Sequence, residues 1–356
     1  MKTVYVDILL DGHHLPYLQN LVYGREEECV LILPHKVPGI NCKQYTFRSV
    51  DMHHKKIWPF YRWTKEVMEF LKEENPKIVH FLTGDIFYKF FGLGLWMFRK
   101  YNTLLTFHWL REDILGMLST KRICKQVSRV IVHTSYILEK FAQNGIDNAV
   151  HIEYPQFDRK KMATEAAKEK LRIPVQTKVI GCIGGTRYDK GLDILLKALT
   201  HTTEAVHLLI AGKEETFTES YIQENTEGYA ENVHMMLKHL SDEELEIALN
   251  ACDVIVLPYR KAFTGASGPL SEGVWLKKAV IAPDCGSLGE IVRKNDIGVV
   301  FEAENPLSLA SKIDSLVKNG FTWSERAERY AAGLSPTLFH EHYLQLYVDM
   351  MNQAQK

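Results

Sequence analysis

Short apolar runs rich in β-branched residues recur along the chain, separated by longer stretches in which apolar positions return every three or four residues. The first kind reads as strands buried on both faces and the second as helices laid against them, so their alternation predicts parallel sheets in an α/β fold. In the first half the runs are Thr3 to Leu10, Cys29 to Leu33, Ile78 to Leu82, Thr103 to Phe107 and Arg129 to His133, with the amphipathic stretch Trp58 to Glu73 among them. In the second half they are Val179 to Ile183, Val206 to Ala211, Val233 to Leu237, Asp253 to Leu257, Ala279 to Ala282 and Gly298 to Phe301. Each series starts afresh with a glycine-bearing turn, which predicts two Rossmann-like units in tandem.

The change from one series to the next falls between Tyr154 and Thr177, where Pro155 and Pro174 flank the charged segment DRKKMATEAAKEKLR. Proline stops a helix at both places, and the segment itself suits a solvated helix. A last helical pattern runs from Pro336 to Met351, beyond Gly333. The stretch IFYKFFGLGLWMFRKY, residues 86–101, reads as a crossover helix between two strands, with weak contact to a membrane surface as its alternative. The basic segment STKRICKQ, residues 119–126, adds to the prospect of an acceptor on an anionic surface.

At 356 residues the chain exceeds what one core usually serves, which supports the two-domain reading. With 43 Lys and Arg against 44 Asp and Glu, its balance gives no reason to expect nucleic acid as a partner. The six cysteines lie far apart, without the paired spacing of a zinc or redox site. The first apolar run meets Asp11 too early for a signal peptide or membrane span, so the expected location is cytoplasmic, peripheral at most at the inner face of the membrane.

Two loops concentrate candidate chemistry. Strand Val179 to Ile183 leads into GGTRYDKG, residues 184–191, and then into the helical pattern LDILLKAL. Glycines there let backbone N–H groups approach an anion, the helix dipole favours negative charge, and Arg187 and Lys190 add cations. Further on, TGASGP opens a helix that carries Glu272 about one turn in, where a carboxylate can accept from ribose hydroxyls or merely complement the helix dipole. In the first half, His13 and His14 follow the first strand and His108 ends another, at the carboxyl edge where α/β sheets bind ligands. Other histidine pairs, such as His53 and His54, read as solvated.

From IGCIGGTRYDKGLDILLKAL through HLLIAG, NVHMMLKHLSDEELEIALNACDVIVLPY and SGPLSEGVWLKKAVIAPDCGSLGEIV, the second half resembles the nucleotide-sugar domain of glycosyltransferase family 4. The resemblance implies a GT-B fold, two facing Rossmann-like domains with a central cleft. Residues 1–155 would form the acceptor domain, with 336–356 packing back on it, and 156–335 the donor domain. It implies a retaining transfer from a UDP- or GDP-linked sugar to a glycan or lipid-linked acceptor, as in bacterial surface polysaccharide synthesis. The nucleotide sugar is then a co-substrate, and neither cofactor nor metal is required.

Carried over by residue, the resemblance puts Gly12, Gly184, Gly185, Arg187, Lys190, Ser267, Gly268, Pro269 and Leu270 at the donor diphosphate. Lys238, His239 and Glu272 fall at the nucleoside, Thr264 and Gly265 at the donor sugar, His108 at the reacting centre, and His13 and His14 toward the acceptor. Two positions depart from the family. Gly185 stands where an arginine is usual, and Thr264 where the first of two glutamates is usual. Those departures motivate a catalytically silent paralogue, acting as partner or scaffold of another glycosyltransferase, as an alternative; a nucleotide-sugar epimerase on the same double fold is another.

Overall fold

A computed structural model describes residues 1–10, 12–48, 56–157 and 159–353; His53 and His54 lie outside these. The chain divides into two compact units, Met1–Glu153 with Pro336–Lys356, and Tyr154–Ser335.

The first unit holds seven parallel strands, β1 (Thr3–Val6), β2 (Cys29–Leu33), β3 (Lys43–Thr46), β4 (Ile78–Phe81), β5 (Asn102–Phe107), β6 (Arg129–Val132) and β7 (Ala149–His151), in the order β3-β2-β1-β4-β5-β6-β7. Register places Ile32, Val6, Phe81, Leu105 and Val130 in one row across five strands. All five are buried in the same apolar cluster, as expected of a sheet covered on both faces. The edge strands β3 and β7 escaped the sequence reading. KQYT is exposed or half-buried and AVH is three residues long, so neither has the continuous apolar run of a central strand.

Helix Pro336–Gln353 belongs to this unit because Phe339, Tyr343, Tyr347 and Met350, spaced by three and four, form one buried stripe. Tyr343 bonds the Tyr17 hydroxyl, and Tyr347 lies 2.8 Å from Nδ1 of His80. Residues 86–101 do not form the expected continuous helix. Phe91, Gly92 and Gly94 have φ of 49°, 73° and 85°, which breaks the segment into two 3₁₀ turns, Gly84–Phe90 and Leu95–Phe98. Phe87, Tyr88, Leu95 and Phe98 are buried, so the stretch builds core.

The second unit holds six parallel strands, β8 (Lys178–Ile183), β9 (Val206–Ala211), β10 (Val233–Met236), β11 (Val254–Val256), β12 (Ala279–Pro283) and β13 (Gly298–Phe301), in the order β10-β9-β8-β11-β12-β13. Leu208, Ile180, Val254 and Ala279 form a buried row across four of them. The charged segment before β8 is helical only over Thr164–Lys170 and is not simply solvated, since Arg159 and Lys168 are both buried. Among the described residues no helix is long and apolar enough to cross a membrane.

Candidate functional site

In the second unit the strand order reverses between β8 and β11, and the loops leaving these strands carry most of the candidate residues. After β8 the chain turns through Gly184 at φ 114°, where a Cβ would stand 2.4 Å from Nζ of Lys190. Only glycine lets that ammonium lie against the backbone here. Lys190 sits on the 3₁₀ turn Tyr188–Lys190, and its Nζ is 5.6 Å from the centre of the Tyr259 ring. The Tyr259 hydroxyl is 3.4 Å from Oγ of Ser267, which caps helix Gly268–Trp275 by accepting from the Leu270 N–H. Pro269, in the first turn, lies 3.8 Å from the same Gly184 position. Gly184, Lys190, Ser267 and Pro269 are thus one cluster, joining a cation to a helix N-terminus, which is a setting for an anion.

Gly185 stands where the resemblance expects an arginine, and the nearby Arg187 is engaged within the loop. Gly185 faces Glu215, whose Oε1 would be 2.6 Å from a Cβ there. Arg187 grips its neighbour Asp189 with two bonds of 2.9 and 2.7 Å. Thr264 is buried, and the Gly265 carbonyl accepts a 2.6 Å bond from Ser287, which pins this loop to helix Gly286–Asn295.

Glu272 is completely buried at the fifth position of helix Gly268–Trp275, and the first turn holds no acid. A first-turn dipole partner is therefore not its role. Its Oε1 accepts from Nε of Arg159 at 2.8 Å, and Nη1 of Arg159 reaches Oδ1 of Asp242 at 2.7 Å. Burial works against the Arg159 charge, but Glu272 and Asp242 outweigh it and raise its pKa. Oε2 of Glu272 is buried with no protein partner. Such a carboxylate oxygen is costly unless something donates to it.

The helix that begins at Asp242 also bonds Lys238, through Glu244 at 2.5 Å, while Ser241 and Glu244 close a capping box. Exposed Lys238 and His239 are thereby tied through one helix terminus to Arg159 and so to Glu272. Arg159 and Tyr259 are functional candidates the sequence reading missed. Arg159 was hidden in a segment whose charges looked solvated, and Tyr259 carries no motif of its own.

In the first unit β1 is followed by Asp7, a buried acid whose Oδ1 accepts from the N–H of Ile8 and the Thr83 hydroxyl, at 2.8 and 2.5 Å. Its Oδ2 lies 3.2 Å from Nδ1 of His14, and the His14 and His108 rings are 5.2 Å apart. His108 follows β5, donates from Nε2 to the Leu82 carbonyl at 2.8 Å, and donates its backbone N–H to Oδ2 of Asp85 at 3.0 Å. Burial, helped by His14, pulls the His108 pKa down to about 4. A neutral ring with Nε2–H committed leaves Nδ1 as an acceptor. Asp85 is pushed up to about 7 by burial, against opposing backbone bonds from His108 and Trp109, and its Oδ1 is buried without a partner. Gly12 is exposed at φ 62°, and His13 precedes helix His14–Val22 without a side-chain capping bond. Asp7 and Asp85 went unread because a lone acid after an apolar run resembles any strand end.

Among the described residues no group of three His, Cys, Asp or Glu side chains could hold a metal ion.

Comparison with known proteins gives part of this chain a likeness to a family. Residues 163–333 match the family model described as glycosyl transferases group 1. An uncharacterized glycosyltransferase of Methanocaldococcus jannaschii is 31% identical over 137 residues, 38% of this chain and 37% of that protein. The chain spans about two fifths of the length of the curated relatives it matches, 37% and 40%. A sucrose-phosphate synthase of Thermosynechococcus elongatus has a TM-score of 0.79 at 15% identity, over 99% of this chain and 100% of that one. Anabaena Alr3699/HepE, in complex with UDP and glucose, has a TM-score of 0.77 at 14% identity, over 98% and 100% of the two chains. Residues 163–333 thus carry the pattern of glycosyl transferases group 1, within a chain whose two Rossmann-like units have the GT-B glycosyltransferase fold.

Proposed function

We propose that the protein is a retaining, family 4-like glycosyltransferase that moves a hexose from a UDP- or GDP-linked donor to a glycan or lipid-linked acceptor, as used in bacterial surface polysaccharides. The second unit takes the donor and the first takes the acceptor. The observation that carries the reading is the cluster of Lys190, Gly184 and the helix N-terminus capped by Ser267, with a buried, half-used Glu272 on the same helix. A helix N-terminus and a cation suit a diphosphate, and an unpartnered carboxylate oxygen suits a ribose hydroxyl. Ligand chemistry in the structurally similar Anabaena protein, which was captured with UDP and glucose, is of this kind.

Catalysis on this reading is electrostatic. As the bond from the anomeric carbon to the diphosphate oxygen breaks, negative charge grows on the leaving group, and Lys190 with the oriented N–H dipoles of helix Gly268–Trp275 stabilises it without a metal. His108 offers the Nδ1 acceptor to a sugar hydroxyl. His13, His14 and Gly12, in the first loop, serve the acceptor and the donor phosphates, and Thr264 with Gly265 the donor sugar. The enzyme works in the cytoplasm, with at most peripheral membrane contact.

The test is a thermal-shift screen of nucleoside diphosphates and their sugars, followed by donor turnover. A ligand at a hundred times its Kd stabilises by about 2.7 kcal/mol. Slow release of nucleoside diphosphate in water, speeded by acceptor glycans, is the expected result. Binding without release would mark a silent paralogue, and interconversion of the sugar an epimerase.

A further inference from the structure

The 3₁₀ turn Gly84–Phe90 grips the loop that leaves β5. Its first residue has to be glycine, because a Cβ on Gly84 would stand 2.8 Å from the Thr106 carbonyl oxygen and 3.0 Å from Cβ of Leu105. With β4 and β5 paired, this close approach brings Asp85 and Tyr88 against Phe107, His108 and Trp109. Tyr88 stacks on the Phe107 ring at 4.8 Å and donates its hydroxyl to the Trp109 carbonyl at 3.2 Å. Ser119 steadies the turn by donating to the Tyr88 carbonyl at 2.9 Å. Asp85 takes the opposite polarity of the same loop, its Oδ2 accepting the His108 N–H at 3.0 Å. A neutral acceptor would hold that N–H without the cost of burying a charge. The acid is therefore not explained by loop structure alone. Its other oxygen, Oδ1, is buried without a partner, which penalises the ionised form, and burial accordingly pushes the pKa up to about 7 against the N–H bonds from His108 and Trp109. The titratable groups around Asp85 are His14 on helix His14–Val22, His108, and Tyr88 on its own turn, with Arg111 and Cys124 beside Tyr88. Asp7 stands behind His14, 3.2 Å from its Nδ1, and helix Ile114–Cys124 packs on the turn with Cys124 as the titratable group of its buried side.

We infer that Asp85 is a positioning residue, whose ionised carboxylate holds the His108 backbone in its working place and whose protonation releases it. A bond from a backbone N–H to a carboxylate is shorter and stronger than one to a neutral carboxyl group. His108 has two anchors, the N–H bond to Asp85 and the Nε2 bond to the Leu82 carbonyl. When Asp85 takes a proton the first anchor weakens, and the ring swings on the second. Misplacement of a positioned group by about 1 Å is enough to cost turnover a hundredfold. The kinetic part of this inference rests on the transferase reading, in which the His108 ring meets the reacting sugar. Its structural part, the coupling of Asp85 to the His108 backbone, does not.

The experiment joins a pH profile to a titration of the carboxyl group itself, both on the full chain. Release of UDP from UDP-glucose should rise roughly tenfold between pH 6 and 8, following the ionised fraction of a group with its midpoint near 7. Asp85→Asn keeps the shape and an acceptor for the His108 N–H but cannot ionise, so it should flatten that rise while UDP affinity stays within about twofold of the parent. A purely structural Asp85 predicts something else, a fall in melting temperature and in turnover by the same factor at every pH, with the rise left in place. In the protein labelled with ¹³C at its aspartate carboxyls, the signal missing from Asp85→Asn should titrate near pH 7, and the His108 amide resonance should move with the same midpoint. Titration of that signal near the ordinary aspartate value of about 3.9 overturns the proposal. So does a His108 amide that ignores it, a parent that releases UDP without the rise, or a rise that survives in Asp85→Asn. If no UDP is released at any pH, the transferase reading fails, and the carboxyl and amide titrations still decide the coupling.

Discussion

Arg159 donates to Glu272 at 2.8 Å from a segment just past the junction of the two units, and so occupies one oxygen of a buried carboxylate while leaving the other without a protein partner. Removing one member of a buried ion pair leaves the other charge uncompensated, which typically costs about 3–5 kcal/mol. Arg159→Ala is therefore expected to lower unfolding stability by about that much in urea titrations. Arg159→Ala with Glu272→Gln should cost clearly less than the two single changes added together. Additive losses would mean that the pair is not coupled.

The free oxygen of Glu272 gives a second expectation. Glu272→Gln should weaken binding of a nucleoside diphosphate, and the penalty should shrink for the 2′,3′-dideoxy analogue, which offers no hydroxyl to the carboxylate. Calorimetric titration of both ligands decides it. An equal penalty for both would assign Glu272 to holding Arg159 alone.

At the phosphate side, Lys190→Ala should cost about 1.5–3 kcal/mol in nucleoside diphosphate affinity, the usual worth of a bond to a charged group. If Arg187 serves the phosphates it must first leave Asp189, which holds it with two bonds. Arg187→Ala should then lose affinity for the diphosphate but little for the bare nucleoside. Equal losses for both ligands would leave it a structural role.

Much of this was legible in the sequence because burial leaves a simple signature. The central strands β1, β2, β4 to β6, β8, β9 and β12 are continuous apolar runs and were found within a few residues of their ends. Edge strands β3 and β7 have water on one side and lack that signature. Lys190, Ser267 and Glu272 were legible because glycine loops open helices beside them. Arg159 was not, since its guanidinium is buried only through partners 83 and 113 positions away in the chain. The aromatic segment 86–101 misled in the other direction, because composition does not show that Phe91 adopts a left-handed backbone there.

The first unit should be acid-sensitive. Burial, with the His108 charge second, drives the His80 pKa down to about 3, and both its ring nitrogens are engaged, with Tyr347 and Thr106. Burial holds His133 well below its ordinary value as well. In the unfolded chain a histidine takes its proton near pH 6.5, so between about pH 6.5 and 3 the unfolded state binds more protons and stability falls as pH falls. Asp85, pushed up to about 7, works the opposite way over part of the range. Each such histidine contributes at most about 1.4 kcal/mol per pH unit. His80→Gln should therefore flatten the pH dependence of unfolding between pH 4 and 6 by about one proton, measured by urea titration at several pH values. An unchanged slope would mean that His80 is not the group that titrates.

His108 separates a kinetic role from a structural one. Its Nε2 is committed to the Leu82 carbonyl, its ring stands 5.2 Å from that of His14, and its pKa of about 4 keeps it neutral at physiological pH. On the proposed function it would act through the Nδ1 lone pair, as an acceptor for a sugar hydroxyl whose polarity grows in the transition state. Contacts that strengthen only there raise turnover without tightening ground-state binding. His108→Ala should lower turnover by roughly a hundredfold or more while nucleotide affinity stays near that of the parent. Losing the bond to Leu82 will also cost stability, so melting temperature has to be measured on the same protein. His108→Gln keeps a donor and an acceptor on a side chain of similar length, and should regain stability before it regains turnover. If His108→Ala is destabilised yet turns over normally once corrected for its unfolded fraction, the residue is a strut for the loop after β4 and has no place at the reacting sugar.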